Sequence, residues 1–303
     1  MSGKSMLYEL RKVLSEDSSS IFINDFLSYK FLWEAAVELA LRVGMPQGSD
    51  TITTVASQAA YDLSPGYMGL YLKDRNDRYV ITYNDGSVNH FPVWLGYDEL
   101  VLRDQSANSV TIPSFFSMKP KETAETQITG SASANGAVSN EECTLTVAAS
   151  AFSEVHVGDE VYNTTDGSMG IVTEKVSNLQ LKTALFNGTN NDWTSGDSFI
   201  IQPYPRFQLL LEPPPSTAAH TATVRYRKKP DPVFSGYRNY MFPFVHEPLL
   251  VKYAAWLYKY KDQEPNYGDK WYVAFDSGSK KMGDSVSTSF KSGKIKVNFK
   301  ARH

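Results

Sequence analysis

The chain has 303 residues, 42% of them apolar, which is enough for one large domain or two ordinary ones. A formal net charge of −3 rules out a binder that works through overall positive charge. A single cysteine, Cys143, rules out a disulfide-stapled fold.

The first twenty residues carry charges throughout and no apolar core segment, so no signal peptide is read there, and no run approaches the length of a membrane span. Synthesis and folding are expected in a reducing cytoplasm. A short helix is expected over Ser5–Leu14. A longer one follows, from Phe22 to Val43. In it Phe22, Phe26, Tyr29, Trp33, Ala36, Ala40 and Val43 form one apolar stripe of helical period, and Gly44 supplies the stop. Thr51–Leu63 is rich in β-branched residues and ends at the Ser64-Pro65-Gly66 turn. Hairpin signals stand at Asn76-Asp77 and at Asn84-Asp85-Gly86, and SVTIPSFFSMKP reads as strand.

At Lys121 the composition turns small and polar, as in a linker. Between Cys143 and Gln202 short apolar-alternating segments are separated by Thr165-Asp166-Gly167, Asn187-Gly188 and Ser195-Gly196-Asp197. That pattern predicts a small all-β barrel or sandwich. RFQLLLEPP and HTATVRYRKKPDP return to longer strands. Helices are predicted over Leu249–Tyr260, with Pro248 suited to the first turn, and over Asn266–Met282.

Catalytic motifs are missing. Asp166-Gly167-Ser168-Met169-Gly170 lacks the spacing of a nucleophile elbow, and no phosphate loop, dinucleotide fingerprint or HExxH occurs. The five histidines (His90, His156, His220, His246, His303) are scattered, so neither a metal nor a cofactor is expected. Asp159, Asp166, Asp192 and Asp197 fall in turns; they read as turn formers, with a calcium site or a carboxylate pair as the sharper alternative. Trp193 with Tyr162 and Phe186 reads as barrel core, with a sugar-stacking platform as its alternative.

Two basic features stand out. Arg225, Arg227, Lys228 and Lys229 cluster before Pro230, where they would face DNA phosphates or guard a solvated strand edge. Lys294, Ile295, Lys296, Val297, Phe299, Lys300 and Arg302 alternate apolar and basic near the C-terminus. So short an apolar face cannot stabilise itself. It is expected to add a strand to a partner's sheet edge, or to lie in the subunit's own sheet or as a loose basic tail.

Outside the middle block, the order of motifs resembles the head–tail adaptor (connector) proteins of tailed bacteriophages. Gln58, Tyr61 and Leu63 fit the family's Q-x-x-Y-x-L-P, although Ser64 stands before Pro65. Leu211-Glu212-Pro213-Pro214-Pro215 fits L-x-P-x-P, Tyr226–Pro230 fits Y-x-x-x-P, and Pro243-Phe244-Val245-His246-Glu247-Pro248-Leu249 opens the following helix. The likeness spans residues 15–120 and 203–275.

It implies an α+β fold, with helices packed on a small antiparallel sheet as a discontinuous domain of residues 1–121 and 203–303. Residues 122–202 would be a peripheral, separable all-β barrel or sandwich inserted at a hairpin tip, with SVTIPSFFSM and RFQLLLEPP as its arms. The implied role is a virion structural protein of the neck, not an enzyme. About twelve copies would form a ring between the portal and the tail or nozzle proteins, with DNA passing through the centre. The C-terminal strand would reach the portal. The rival reading is a tail-associated carbohydrate-binding or adhesion protein.

Overall fold

The computed structural model describes residues 2–15, 24–70, 80–103, 109–242, 247–261 and 265–288. The fold expectation is corrected here. The chain is mostly β, 34% strand against 26% helix, with three sheets and five helices among the described residues and no closed barrel. It is not a helical unit with a small sheet.

Helix α1 (Gly3–Leu14) starts at Ser2, whose hydroxyl accepts from the Ser5 N–H, and it buries Met6, Leu7 and Leu10. Helix α2 (Asp25–Val43) starts at Asn24, whose Oδ1 accepts from the Leu27 N–H at 2.9 Å, and stops at Gly44 with φ 75°. Helices α4 (Glu247–Lys261) and α5 (Pro265–Thr288) complete the helical layer. The short helix α3 (Tyr97–Arg103) falls between α2 and α4 in the chain.

Helix α2 buries two stripes, where the sequence pattern suggests one. Leu32, Ala35, Ala36, Leu39 and Ala40 face α4 and α5, packing with Leu250, Ala254, Ala255 and Phe275. Alanines on both helices let the backbones approach. Tyr29 and Trp33, with Phe26 packed beside them, face the other way, onto Ile171, Ala184, Phe186 and Phe234. Phe26 meets Phe186 at a tilt, 5.5 Å between centroids, and Trp33 meets Phe234 edge to face at 6.0 Å. Phe22 lies outside the described residues.

Two sheets share a second core. One has the order β1 (Gln47–Thr53), β16 (Thr221–Lys228), β4 (Ile81–Asn84), β5 (Asn89–His90), with β3 (Tyr67–Leu70) also pairing β16. The other runs β2 (Ala60–Asp62), β15 (Phe207–Glu212), β7 (Phe115–Pro120), β6 (Val93–Trp94). Tyr61, Phe116, Leu209 and Leu211 of the second meet Ile81, Tyr83, Ala222, Val224 and Tyr226 of the first. The period-two burial that makes these strands also makes two apolar sheet faces, and each must cover the other. This is why the flanks are a sheet sandwich beside a helical layer.

Strands β7 and β15 pair antiparallel, Phe207 opposite Pro120, as the two arms expected around the middle block. Between them lies a seven-stranded sheet of order β8 (Ile128–Ser131), β14 (Ser198–Gln202), β11 (Glu160–Asn163), β12 (Ser168–Ser177), β13 (Gln180–Phe186), β10 (Glu142–Thr146), β9 (Val138–Ser139). Its own core holds Leu145, Phe152, Val161, Val172, Leu181, Trp193 and Phe199. The sheet does not close, and the segment joining its two edge strands, β8 and β9, runs between them. There Ser133 and Gly136 donate to the Thr146 and Trp193 carbonyls.

This block is also less peripheral than expected. One face lies along the aromatic stripe of α2. Arg238 clamps it through Glu142, which is 8% exposed, and through Glu174 at 3.1 Å. At the chain crossing Lys121 binds Asp62 at 2.7 Å and Glu125 at 3.1 Å. Among the described residues no helix is long and apolar enough to cross a membrane.

Candidate functional site

Strand β16 decides where the basic cluster points. Ala222, Val224 and Tyr226 are buried in the sandwich core, so Thr221, Thr223, Arg225 and Arg227 take the opposite face. Register extends that face to both neighbours. Thr51 lies opposite Thr223, Ser49 opposite Arg225 and Gln47 opposite Arg227. On the other side Thr82 pairs with Thr223 and Asn84 with Thr221.

Thr51, Thr223 and Thr82 thus form a hydroxyl row across three strands, with the Thr51 and Thr223 Oγ1 atoms 3.1 Å apart. No carboxylate occupies an outward position of β1, β16 or β4. Asp50, the one acid in β1, turns inward, where its Oδ1 accepts from the Tyr226 hydroxyl at 2.8 Å and its Oδ2 from the Ser64 N–H. Hydroxyls, amides and an exposed Arg225 on one sheet face are groups that bind phosphate oxygens without reading a sequence. The hydroxyl row was missed in the sequence. Its signal was the alternation in TIT, ITYN and TATVRYR, which means nothing until the register is known.

The four basic residues do not act as one patch. Arg225 is exposed on the outer face. Arg227 folds against the end of α2, where its Nη1 donates to the Leu41 carbonyl at 3.4 Å, a favourable place for a cation. Lys228 pairs with Asp231 at 3.0 Å. Lys229 turns into a cleft of about 270 Å³ between the sandwich and the seven-stranded sheet. Its Nζ sits 4.2 Å from the Trp33 ring centroid and 4.3 Å from that of Tyr204. Burial holds the Lys229 amine below its usual range, against the pull of Asp159. Burial likewise pushes the Tyr204 phenol up to about 12. Trp33 is fixed in turn by its Nε1–H, which donates to the Pro230 carbonyl at 2.9 Å. Lys229 therefore joins two layers of the subunit.

The turn aspartates are held one by one: Asp166 accepts from the Ser168 hydroxyl at 3.4 Å, and the Asp192 Oδ1 is buried with no hydrogen-bond partner. Asp159 accepts from the His156 and Tyr204 N–H groups, and Asp197 from the Thr194 N–H and the Asn163 amide. Among the described residues no group of three His, Cys, Asp or Glu side chains is placed to hold a metal ion. Trp193 is 1% exposed, with its Nε1–H on Thr183 Oγ1 at 2.8 Å, and Phe186 packs on α2. Tyr162 is half-buried, its hydroxyl donating to Glu160 at 2.8 Å, and the buried Trp193 cannot stack on a sugar beside it. His90 pairs with Asp85, and the His220 ring meets the Tyr83 hydroxyl at 2.9 Å. The strand expected over Lys294, Ile295, Lys296, Val297, Phe299, Lys300 and Arg302 lies outside the described residues, as does His246. Compared with known proteins, the chain matches no family model and no curated protein sequence.

Proposed function

We propose that the chain is a virion structural protein, one subunit of a head–tail adaptor ring set between the portal and the tail and enclosing the DNA channel. The observation that carries this reading is the outer face of the β1–β16–β4 sheet, with its threonine row, Arg225 and no carboxylate. Such a face suits a channel through which a polyanion must slide: it meets phosphates through hydroxyls and isolated cations and never repels them.

Two further features support the reading. The order of helix, strand and proline motifs is that of the adaptor resemblance. Large apolar side chains are also exposed on unrelated elements, among them Val93 on β6 at 56%, Val273 on α5 at 65% and Tyr237 at 59%. Different patches on one subunit fit head-to-tail contacts, which close into rings. The role is assembly in the neck rather than catalysis.

The test is light scattering with negative-stain microscopy of the purified chain, alone and added to DNA-filled heads. Rings of about twelve copies are expected on the heads. A monomer that never binds them overturns the reading. For the channel face, Arg225→Ala should lower the slope of log affinity against log salt for duplex DNA by about 0.9 for each phosphate it no longer neutralises. An unchanged slope removes Arg225 from the channel.

A further inference from the structure

The edge of the second sandwich sheet carries an unusual surface. Between Val88 and Tyr97 five large apolar side chains are exposed: Val88 55%, Phe91 39%, Val93 56%, Trp94 39% and Tyr97 39%. They surround β6, which among the described strands has a neighbour on one side only, β7. Val93 donates its N–H to the carbonyl of Ser114, just before that neighbour, and Leu95 to that of Phe116 within it. Alternation then turns the Trp94 N–H and C=O outward. Asp98 and Glu99 open α3 immediately beyond the patch. Lys119, whose ammonium lies over the Tyr97 ring, is paired with Glu122 at 2.9 Å. The surface is thus apolar and edged by acid, and among the described strands none pairs with the outward backbone groups of Trp94. Left bare, an edge of this kind invites pairing.

Residues 289–303, beyond the end of α5, hold Lys291, Lys294, Lys296, Lys300 and Arg302 and no acid. Ile295, Val297 and Phe299 alternate with polar residues, giving one apolar face and one basic face. Fifteen residues in extended form reach about 50 Å, enough to leave one subunit and cross onto the next. Charge and apolar pattern are both complementary to the β6 edge.

We infer that the C-terminal segment Lys294–Lys300 of one copy docks on the β6 edge of a neighbouring copy. Ile295, Val297 and Phe299 lie beside Val93 on one face of the extended sheet, and the lysines lie on the Trp94 face, drawn by the acidic end of the patch at Asp98. The segment then acts as a strap between subunits. The inference rests on self-assembly of the chain, and it names this chain, not the portal, as the segment's partner.

The test uses two full-length chains with different tags, one carrying Val93→Cys and the other Val297→Cys, mixed in a glutathione redox buffer. Cys143 is 2% exposed and contributes little background. A disulfide-linked heterodimer is expected on a non-reducing gel. Adding Ile295→Ser and Phe299→Ser to the second chain should lower its yield about tenfold while keeping every charge. No heterodimer in preparations that form rings overturns the docking and leaves the ring reading intact. A disulfide that forms only within a doubly substituted chain, or a segment that crosslinks to portal instead, overturns it equally. A heterodimer without rings supports the docking and counts against the ring.

Discussion

Thr183 gives the sharpest test of how the seven-stranded sheet is held. It sits at the centre of β13, 0% exposed, between Cys143 of β10 and Val172 of β12. Its Oγ1 accepts the Trp193 Nε1–H at 2.8 Å and donates to the Cys143 carbonyl at 3.3 Å. Thr183→Val keeps the shape but leaves the indole N–H, on a side chain 1% exposed, with no partner. An unpaired buried donor costs about 1–3 kcal/mol, partly offset by about 1 kcal/mol from burying a methyl in place of a hydroxyl. A net loss of up to about 2 kcal/mol is therefore expected. In a Trp193→Phe background the donor is gone, so the same Thr183→Val change should cost almost nothing or stabilise. The coupling between the two positions is then about 2 kcal/mol. Urea unfolding followed by circular dichroism measures it. Hydrogen exchange at Leu145 and Leu181 assigns the loss to this core, since a chain with several cores need not unfold in one step. If Thr183→Val costs the same in both backgrounds, the hydrogen bond is not what makes the position matter.

Other outcomes follow from single contacts. A Cβ on Gly170 would overlap the Ala184 carbonyl oxygen on the neighbouring strand. Gly170→Ala should therefore cost about 3 kcal/mol or abolish folding, and a normal melting curve would contradict the β12–β13 packing. Burial pushes the Cys143 thiol up to about 11. Ellman's reagent at pH 8 should accordingly find no thiol in the folded chain and one in denaturant, and prompt reaction when folded would place Cys143 elsewhere. The Val88 N–H, then the His90 ring and Ser87, hold the Asp85 carboxyl well below the usual carboxylate range. Its contribution is whole at neutral pH and is lost as acid carries the pH below the ordinary carboxylate range, through the lowered value. Asp85→Asn should flatten the acid limb of the stability curve, and an unaltered limb would show the hairpin to be indifferent to that charge. Excising residues 122–203 should yield aggregate, because it bares Phe26, Tyr29, Trp33 and Phe234. Solubility should return when those four become polar, and a soluble simple deletion would show the α2 seam to be dispensable.

The sequence by itself determined the local elements. The Gly44 stop of α2, the period-two runs of the strands and the turn dipeptides all report backbone preferences that act over a few residues. The pairing of β7 with β15 was legible too, because the two runs bracket a block of different composition. Which face met what was decided only by the tertiary structure. Seven apolar positions from Phe22 to Val43 read as one stripe, yet Ala36 and Ala40 serve the helices while Tyr29 and Trp33 serve a sheet more than a hundred residues away. Arg225, Arg227, Lys228 and Lys229 read as one cluster, yet strand alternation, a helix end, Asp231 and two aromatic rings send them to four environments. The threonine row existed in no single segment. Periodicity gives each strand two faces without saying which is buried. That choice is made when sheets pair and cores form, through contacts between residues far apart in the chain.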